Sequence, residues 1–322
     1  MQSVMKRRMT GDEGRMGLPS SSVTRSGPSS VADALQFSRS RLASIDAGLI
    51  TASGLLGHVL GLTRAQVLTR PERLLSTEQA ATFEALVARA ALGEPLAYLT
   101  GRREFYGLDF EVDRHVLVPR PETELLVDRV LAARPARVLD VGTGSGCIAV
   151  TLAVRLPQAA ITASDLSPTA LAVARRNAQR HGVAQRITFM QSDLLDTFQP
   201  PTSHLSSLTS DLRPPTSAFQ PTFDLIAANL PYIDPNELTT LPVARFEPRL
   251  ALDGGPGGLA LIERLLRQAP AVLAPRGRVL LEIGASQGPA ALALARSAFP
   301  AAAARIEQDL AGLDRLLIIE VR

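Results

Sequence analysis

The chain has 322 residues, about two domains at roughly 150 residues each, and its 46% hydrophobic content excludes disorder throughout. No apolar run approaches the ~20 residues of a membrane span; one cysteine, Cys147, and four scattered histidines exclude an internal disulfide and argue against a metal cluster. The net charge is +3, and residues 1–30 supply all of it with five basic and two acidic side chains, so the remaining body lacks the basic excess of a phosphate-tracking surface.

Aromatic residues make up 4% with no tryptophan, so base-stacking platforms are not advertised. These features predict the reducing cytoplasm, no membrane contact and no stable nucleic-acid binding; a monomer is expected, although the sequence does not itself give the oligomeric state. Residues 1–30 hold Gly, Ser, Pro and charge without apolar period and read as a disordered tail. Lys6-Arg7-Arg8 could open a signal peptide, but Asp12 and Glu13 fall where its apolar stretch belongs.

Residues 31–100 read as a small helical domain. Apolar residues from Val31 to Leu62 keep helical spacing, with breaks expected near Gly48 and Gly54. Ser76 and Gln79 fit a capping box that opens a helix closed by Gly93. Residues 101–123 form a linker. Glu104-Phe105-Tyr106, Gly107 and Leu108–Val112 read as a β-hairpin; Pro119 and Pro121 end it. Glu122 and Glu124 then occupy a first helical turn, where the macrodipole favours acids.

Residues 124–322 alternate strand and helix. Strands are expected at Arg137–Val141, Ala160–Asp165, Arg186–Gln191, Phe223–Ala228, Arg278–Ile283 and Arg315–Val321. Helices are expected at Ser145–Leu156, from the Ser167-Pro168 cap to His181, at Leu259–Gln268 and at Gly288–Ser297. This alternation implies a mostly parallel sheet covered on both faces. The Pro-, Ser- and Thr-rich stretch 197–222 reads as a mobile surface insertion.

Three motifs carry chemistry. Asp140-Val141-Gly142-Thr143-Gly144-Ser145-Gly146 runs from a strand through a glycine-rich turn into a helix. It fails the dinucleotide fingerprint, whose last glycine would fall on Cys147, and no Lys-Ser/Thr follows to make a P-loop. The glycines admit close backbone approach to a flat or extended ligand, and the acid suits a cationic one. Asp165 closes the next strand, 23 residues past Gly142, where an acid accepts both ribose hydroxyls of a nucleoside. Asp193, after the third strand, could hold an adenine amino group or simply make a turn. Asn229-Leu230-Pro231-Tyr232 follows Phe223–Ala228 directly, at the sheet end where ligands meet such strands. Pro231 biases Leu230 towards an extended backbone. The Asn229 amide oxygen and the Leu230 carbonyl could then face one planar amino group, with Tyr232 over its face.

Together these residues resemble the class I S-adenosylmethionine-dependent methyltransferases that act on planar amide or amino nitrogens. The resemblance narrows with Glu94–Gly101, Arg103-Glu104-Phe105, Leu117–Glu124, Phe246-Glu247-Pro248, Leu281-Glu282-Ile283-Gly284, Gln287-Gly288, Asp309–Gly312 and Asp314-Arg315. These look like the release factor glutamine methyltransferase family (PrmC/HemK type), over about residues 31–322. The resemblance implies a Rossmann-like α/β domain with a mostly parallel seven-stranded sheet. It also implies S-adenosyl-L-methionine held by Gly142, Thr143, Gly144, Ser145, Gly146, Asp165, Asp193, Leu194 and Asn229. The substrate glutamine would meet Asn229, Leu230, Pro231 and Tyr232, with Phe105 beside it. The protein partner implied is a peptide chain release factor, methylated on its Gly-Gly-Gln glutamine and gripped by the helical domain and hairpin.

The family usually shows Asn-Pro-Pro-Tyr, and Leu230 replaces the first proline. Asn-Leu-Pro-Tyr is also similar to the motif of ribosomal RNA adenine dimethyltransferases, so adenine-N6 methylation of rRNA or DNA is the alternative. A cofactor-binding regulator without turnover is a third reading, opposed by the presence of Asn229, Pro231 and Tyr232.

Overall fold

The computed structural model describes residues 27–43, 45, 47–199 and 222–322. The expected tail therefore lies outside the described residues up to residue 26, and the expected insertion does so at 200–221.

Five helices open the described chain: α1 (Val31–Arg41), α2 (Gly48–Leu60), α3 (Arg64–Leu68), α4 (Thr77–Ala91) and α5 (Leu96–Thr100). Ser30 caps α1 through a capping box with Asp33, although the sequence places it in the tail. Ser76 and Gln79 make the same box on α4, satisfying two backbone donors that a helix end leaves free. Gly54 does not break α2. A Cβ there would lie 2.9 Å from Leu96 Cδ2, so the missing side chain lets α5 pack against the helix. Leu55, Leu56, Phe83 and Val87 fill this core.

A hairpin follows, β1 (Arg102–Phe105) against β2 (Leu108–Glu111). Tyr106 and Gly107 turn it with φ of 53° and 75°, the twist a two-residue hairpin loop needs. The remaining elements alternate: α6 (Thr123–Ala133), β3 (Arg137–Val141), α7 (Cys147–Arg155), β4 (Ala160–Asp165), α8 (Pro168–Arg180), β5 (Ile187–Gln191), β6 (Phe223–Ala228), α9 (Pro235–Leu238), α10 (Ala260–Gln268), β7 (Leu273–Glu282), α11 (Gly288–Ala298), β8 (Ala303–Gln308) and β9 (Asp314–Glu320).

Strands β3 to β9 form one sheet in the order β5-β4-β3-β6-β7-β9-β8, with β9 antiparallel to both its neighbours. Alternate residues of the central strands feed two cores. Val138 and Leu225 pack with α6 and α7 on one face; Leu139 and Ile226 pack with α10 and α11 on the other. Connections run outward from β3 in one direction and from β6 in the other. The sheet end beside both strands is thus a topological switch point, where open α/β sheets leave a crevice.

Three elements differ from expectation. Helix α7 starts at Cys147 rather than Ser145, because Gly146 holds φ of 80° at its cap. Strand β7 begins at Leu273, five residues earlier than expected, and passes Pro275 through an irregular stretch opposite Phe223–Leu225. Strand β8, with Ile306 as its single β-branched residue and no aromatic one, carries little strand signal and had no expected counterpart; pairing with β9 makes it a strand. Within the expected insertion, Thr197 and Phe198 belong to the folded body. Phe198 is buried edge-on against Phe223, ring centroids 5.6 Å apart.

Candidate active site

The glycine turn leaves β3 and is hung on β4. The N–H groups of Gly142 and Thr143 both donate to the Ser164 carbonyl, at 2.8 and 2.9 Å. Asp140 lies beneath the turn, fully buried. Its carboxylate accepts from the Thr143 hydroxyl at 2.7 Å and from the Ala149 N–H at 3.2 Å. In the sequence this acid suits a cationic ligand. Instead it braces the start of α7, where the helix dipole favours an acid, and Oδ1 is left without a partner. Burial pushes its carboxyl up to about 7.

A cavity of about 310 Å3 opens at the switch point, within the range of small-molecule sites. Gly142, Thr143, Gly144, Ser145, Asp165, Asp193, Leu194, Asn229, Leu230 and Pro231 all line it. Asp165 accepts from the Gly144 N–H at 2.9 Å and the Ser167 N–H at 2.8 Å, one on each oxygen. Each oxygen keeps a lone pair for a ligand. Burial raises this carboxyl, against the pull of those N–H groups. Asp193 accepts from Arg264 at 2.9 Å. Leu194 sits at the rim with φ of 50°, a conformation a leucine seldom adopts.

Three expected site residues fall elsewhere. Gly146 is absent from the lining; a Cβ there would stand 3.0 Å from Ala174 Cβ, so it serves the packing of α7 on α8. Phe105 lies in the core, 1% exposed and edge-on to Phe110. The turn between β1 and β2 points it inwards, away from either cavity. Tyr232 lines only a second cavity of about 70 Å3, which shares Arg120, Asn229, Leu230 and Pro231 with the first.

The structure adds residues that no motif marked with a role. Asn229 Nδ2 donates to the Thr123 hydroxyl at 2.9 Å. Glu282 is 3% exposed; burial pushes its carboxyl up to about 7, against the pull of the Thr123 and Asn229 side chains. Arg120 donates to the buried Glu247 at 2.7 Å. Gln287 Nε2 donates to the Tyr232 carbonyl at 2.9 Å while its Oε1 accepts from the Gly284 N–H, so the turn between β7 and α11 steadies the tetrad. All five lie in segments that carried the resemblance. Asn177 had no signal at all. Fully buried on α8, it bonds the N–H and the carbonyl of Glu111 at 2.7 and 2.9 Å and the Ser145 carbonyl at 2.8 Å. It thereby ties the hairpin to the glycine turn.

Among the described residues, no group of three or more His, Cys, Asp or Glu could hold a metal ion. No helix among them is long and apolar enough to cross a membrane.

The PrmC N-terminal domain family matches residues 33–101, and the Methyltransferase small domain family matches residues 121–205. The release factor glutamine methyltransferase of Nitratidesulfovibrio vulgaris is 41% identical over 292 residues, covering 88% of this chain and 92% of that protein. This chain belongs to the release factor glutamine methyltransferase family. The namesake of Chlorobaculum tepidum is 40% identical, covering 84% of this chain and 90% of its own length. That of Cereibacter sphaeroides is 41% identical, covering 89% and 96%. Among solved structures, TrmN from Thermus thermophilus is 28% identical over 64% of this chain and 49% of that chain, with a TM-score of 0.41. The chain is a methyltransferase with the mostly parallel seven-stranded sheet of class I. Adenine methylation is not favoured by these relatives.

Proposed function

We propose that this member of the family transfers a methyl group from S-adenosyl-L-methionine to the side-chain amide nitrogen (N5) of the glutamine in the Gly-Gly-Gln motif of peptide chain release factors. The observation that carries this reading is Asn229. Its nitrogen is engaged by Thr123, which leaves its carbonyl oxygen free where the two cavities join.

The larger cavity fits the methyl donor. Its glycine turn offers backbone without side chains, and the Asp165 carboxylate at its edge has lone pairs suited to vicinal hydroxyls. Gly142, Thr143, Gly144, Ser145, Asp165, Asp193 and Leu194 would hold the donor there. When bound, S-adenosylmethionine supplies an already activated sulfonium methyl group. No nucleophilic side chain is then needed. An amide nitrogen is a poor nucleophile because its lone pair is delocalised, so the protein's task is positioning, worth up to ~7–11 kcal/mol in well-oriented systems. The Asn229 oxygen and the Leu230 carbonyl would accept the two amide hydrogens. Those hydrogens become more acidic as the nitrogen is alkylated, so both bonds strengthen in the transition state. The nitrogen gains the methyl group and releases one proton to water. Pro231 and Tyr232 would wall the glutamine side chain. The replacement of the family's usual proline by Leu230 spares this chemistry, because it uses a backbone carbonyl.

The helical residues 31–100 and the linker 101–123 would grip the release factor. The single free thiol, Cys147, suits work in the cytoplasm. The test is methyl transfer from labelled donor to an intact release factor, run beside ribosomal RNA and DNA. Label on the Gly-Gly-Gln glutamine, lost in Asn229→Ala, is expected. Label on nucleic acid, or undiminished transfer in the variant, would overturn the proposal.

A further inference from the structure

Glu282 is a buried carboxyl that the mechanism above leaves unused. It ends β7 next to β6 in parallel register, so it neighbours Asn229. Neither cavity is lined by it, and its Oε2 has no partner. The Thr123 and Asn229 side chains favour its ionised form, and Asn229 Nδ2 donates to Thr123 at 2.9 Å. We infer that Glu282 is a positioning residue that fixes the orientation of the Asn229 amide and so decides that an acceptor, rather than a donor, faces the substrate.

This inference rests on the reading of Asn229 given above. An ionised carboxylate only accepts hydrogen bonds. The Thr123 hydroxyl accepts from Asn229, which in the inferred arrangement leaves its own proton to turn towards Glu282, with the second Asn229 N–H facing the same carboxylate. Both donors of the amide are then spent on the protein side, and Oδ1 is left for the cavity. A flipped amide would set Oδ1 against the carboxylate and point N–H groups at the glutamine nitrogen, where nothing can accept them. Two donated hydrogen bonds also polarise the Asn229 carbonyl and strengthen it as an acceptor.

The surroundings of Glu282 set when this works. Glu122, at the start of α6, opposes ionisation; Arg315 on β9 favours it but is itself bonded to Asp309 at 2.7 Å. Tyr232 and Cys147 also face it, both held neutral by burial. The N-terminus of α6, which starts at Thr123, favours the anion. Burial is the largest influence, and it brings the carboxyl up to about 7. Protonated Glu282 becomes a donor and competes for the same partners, so turnover falls on the acid side.

The test uses the full chain, an intact release factor and a pH range of about 5.5 to 9. Wild-type kcat should climb with a midpoint near 7. Glu282→Gln should lower kcat by roughly a hundredfold, leave KM for release factor within about threefold and flatten the acid limb. Thr123→Val removes a hydroxyl that lowers the Glu282 carboxyl, so its acid limb should move to higher pH. The side-chain amide resonances of Asn229, identified by their loss in Asn229→Ala, should titrate with the same midpoint in ligand-free wild type and stay fixed in Glu282→Gln. Retention of the acid limb in Glu282→Gln, or resonances that do not titrate in wild type, would overturn the inference. Full activity in Asn229→Ala would instead overturn the reading of Asn229 itself.

Discussion

Gly144 and Gly146 lie two residues apart, both at positive φ, yet a methyl group should act differently at each. A Cβ on Gly146 would lie 3.0 Å from Ala174 Cβ and 3.2 Å from Ala174 Cα, and a helix backbone cannot swing aside. A Cβ on Gly144 would meet only the Gly142 carbonyl, at 4.0 Å, and Gly144 lines the cavity. Gly182, after α8, has φ of 70° and nothing within 4 Å, so Gly182→Ala isolates the cost of the backbone conformation. That cost is about 1–2 kcal/mol. Overpacking adds about 1–3 kcal/mol. Gly144→Ala and Gly182→Ala should therefore each lose about 1–2 kcal/mol, and Gly146→Ala about 2–5 kcal/mol. Urea unfolding of the ligand-free chain measures these losses. Calorimetric titration with S-adenosylmethionine should show Gly182→Ala unchanged and Gly144→Ala weakened at least tenfold, about 1.4 kcal/mol. Equal stability of Gly146→Ala and Gly182→Ala would refute the close packing of α7 on α8. Wild-type affinity in Gly144→Ala would refute a ligand seated on the glycine turn.

Asp140→Asn tests a buried acid. Its carboxyl stands at about 7 in the fold against 3.8 as a free group, so the folded state holds the proton more tightly. The resulting stability is complete below about pH 4 and lost as pH rises to about 7. Urea unfolding at about pH 5 and 8 should show wild type losing about 2–3 kcal/mol more than the variant; an equal loss would mean Asp140 ionises freely. Arg120→Ala strands Glu247, whose Oε2 already lacks a partner. The loss should be about 2–3 kcal/mol, less than for a fully buried pair because the guanidinium is 36% exposed. Glu247 is raised by burial and lowered by Arg120, so the loss should be greater at high pH. The double variant Arg120→Ala/Glu247→Gln should recover most of it, and failure to recover would deny the pairing. Asn177→Ala removes the partner of one buried and two part-buried backbone groups and should cost about 2–3 kcal/mol in thermal or urea unfolding. A loss under about 1 kcal/mol would mean the hairpin is held by other contacts.

The signals that could be read from the sequence are local ones. Strands β3 and β6 were legible as short, mostly apolar runs, because a strand buried on both faces needs no distant partner to be apolar. The caps at Ser76 and Ser167 were legible because the hydroxyl and its N–H lie within one turn. The cavity lining from Gly142 to Ser145, with Asp165 and Asn229, followed from motifs at consecutive strand ends. What failed depended on neighbours far along the chain. Gly54 looked like a helix break until Leu96 covered it. Phe105 had a strand's alternation but no mark of which face the hairpin would bury. Ala303–Gln308 became a strand only by pairing with β9.

The sequence by itself determined an α/β chain with a glycine turn and an Asn-Leu-Pro-Tyr tetrad at strand ends, because apolar period, caps and turn residues act within a few positions; resemblance to a known family supplied the methyltransferase reading. Only the tertiary structure decided which way the side chains work. Asp140 turns under the glycine loop, and Thr123 and Asn229, 106 residues apart, share a hydrogen bond. Asn177 joins two segments that no sequence window spans. Hydrogen bonds and burial depend on distance in space, and the chain brings these partners together only when the sheet has closed.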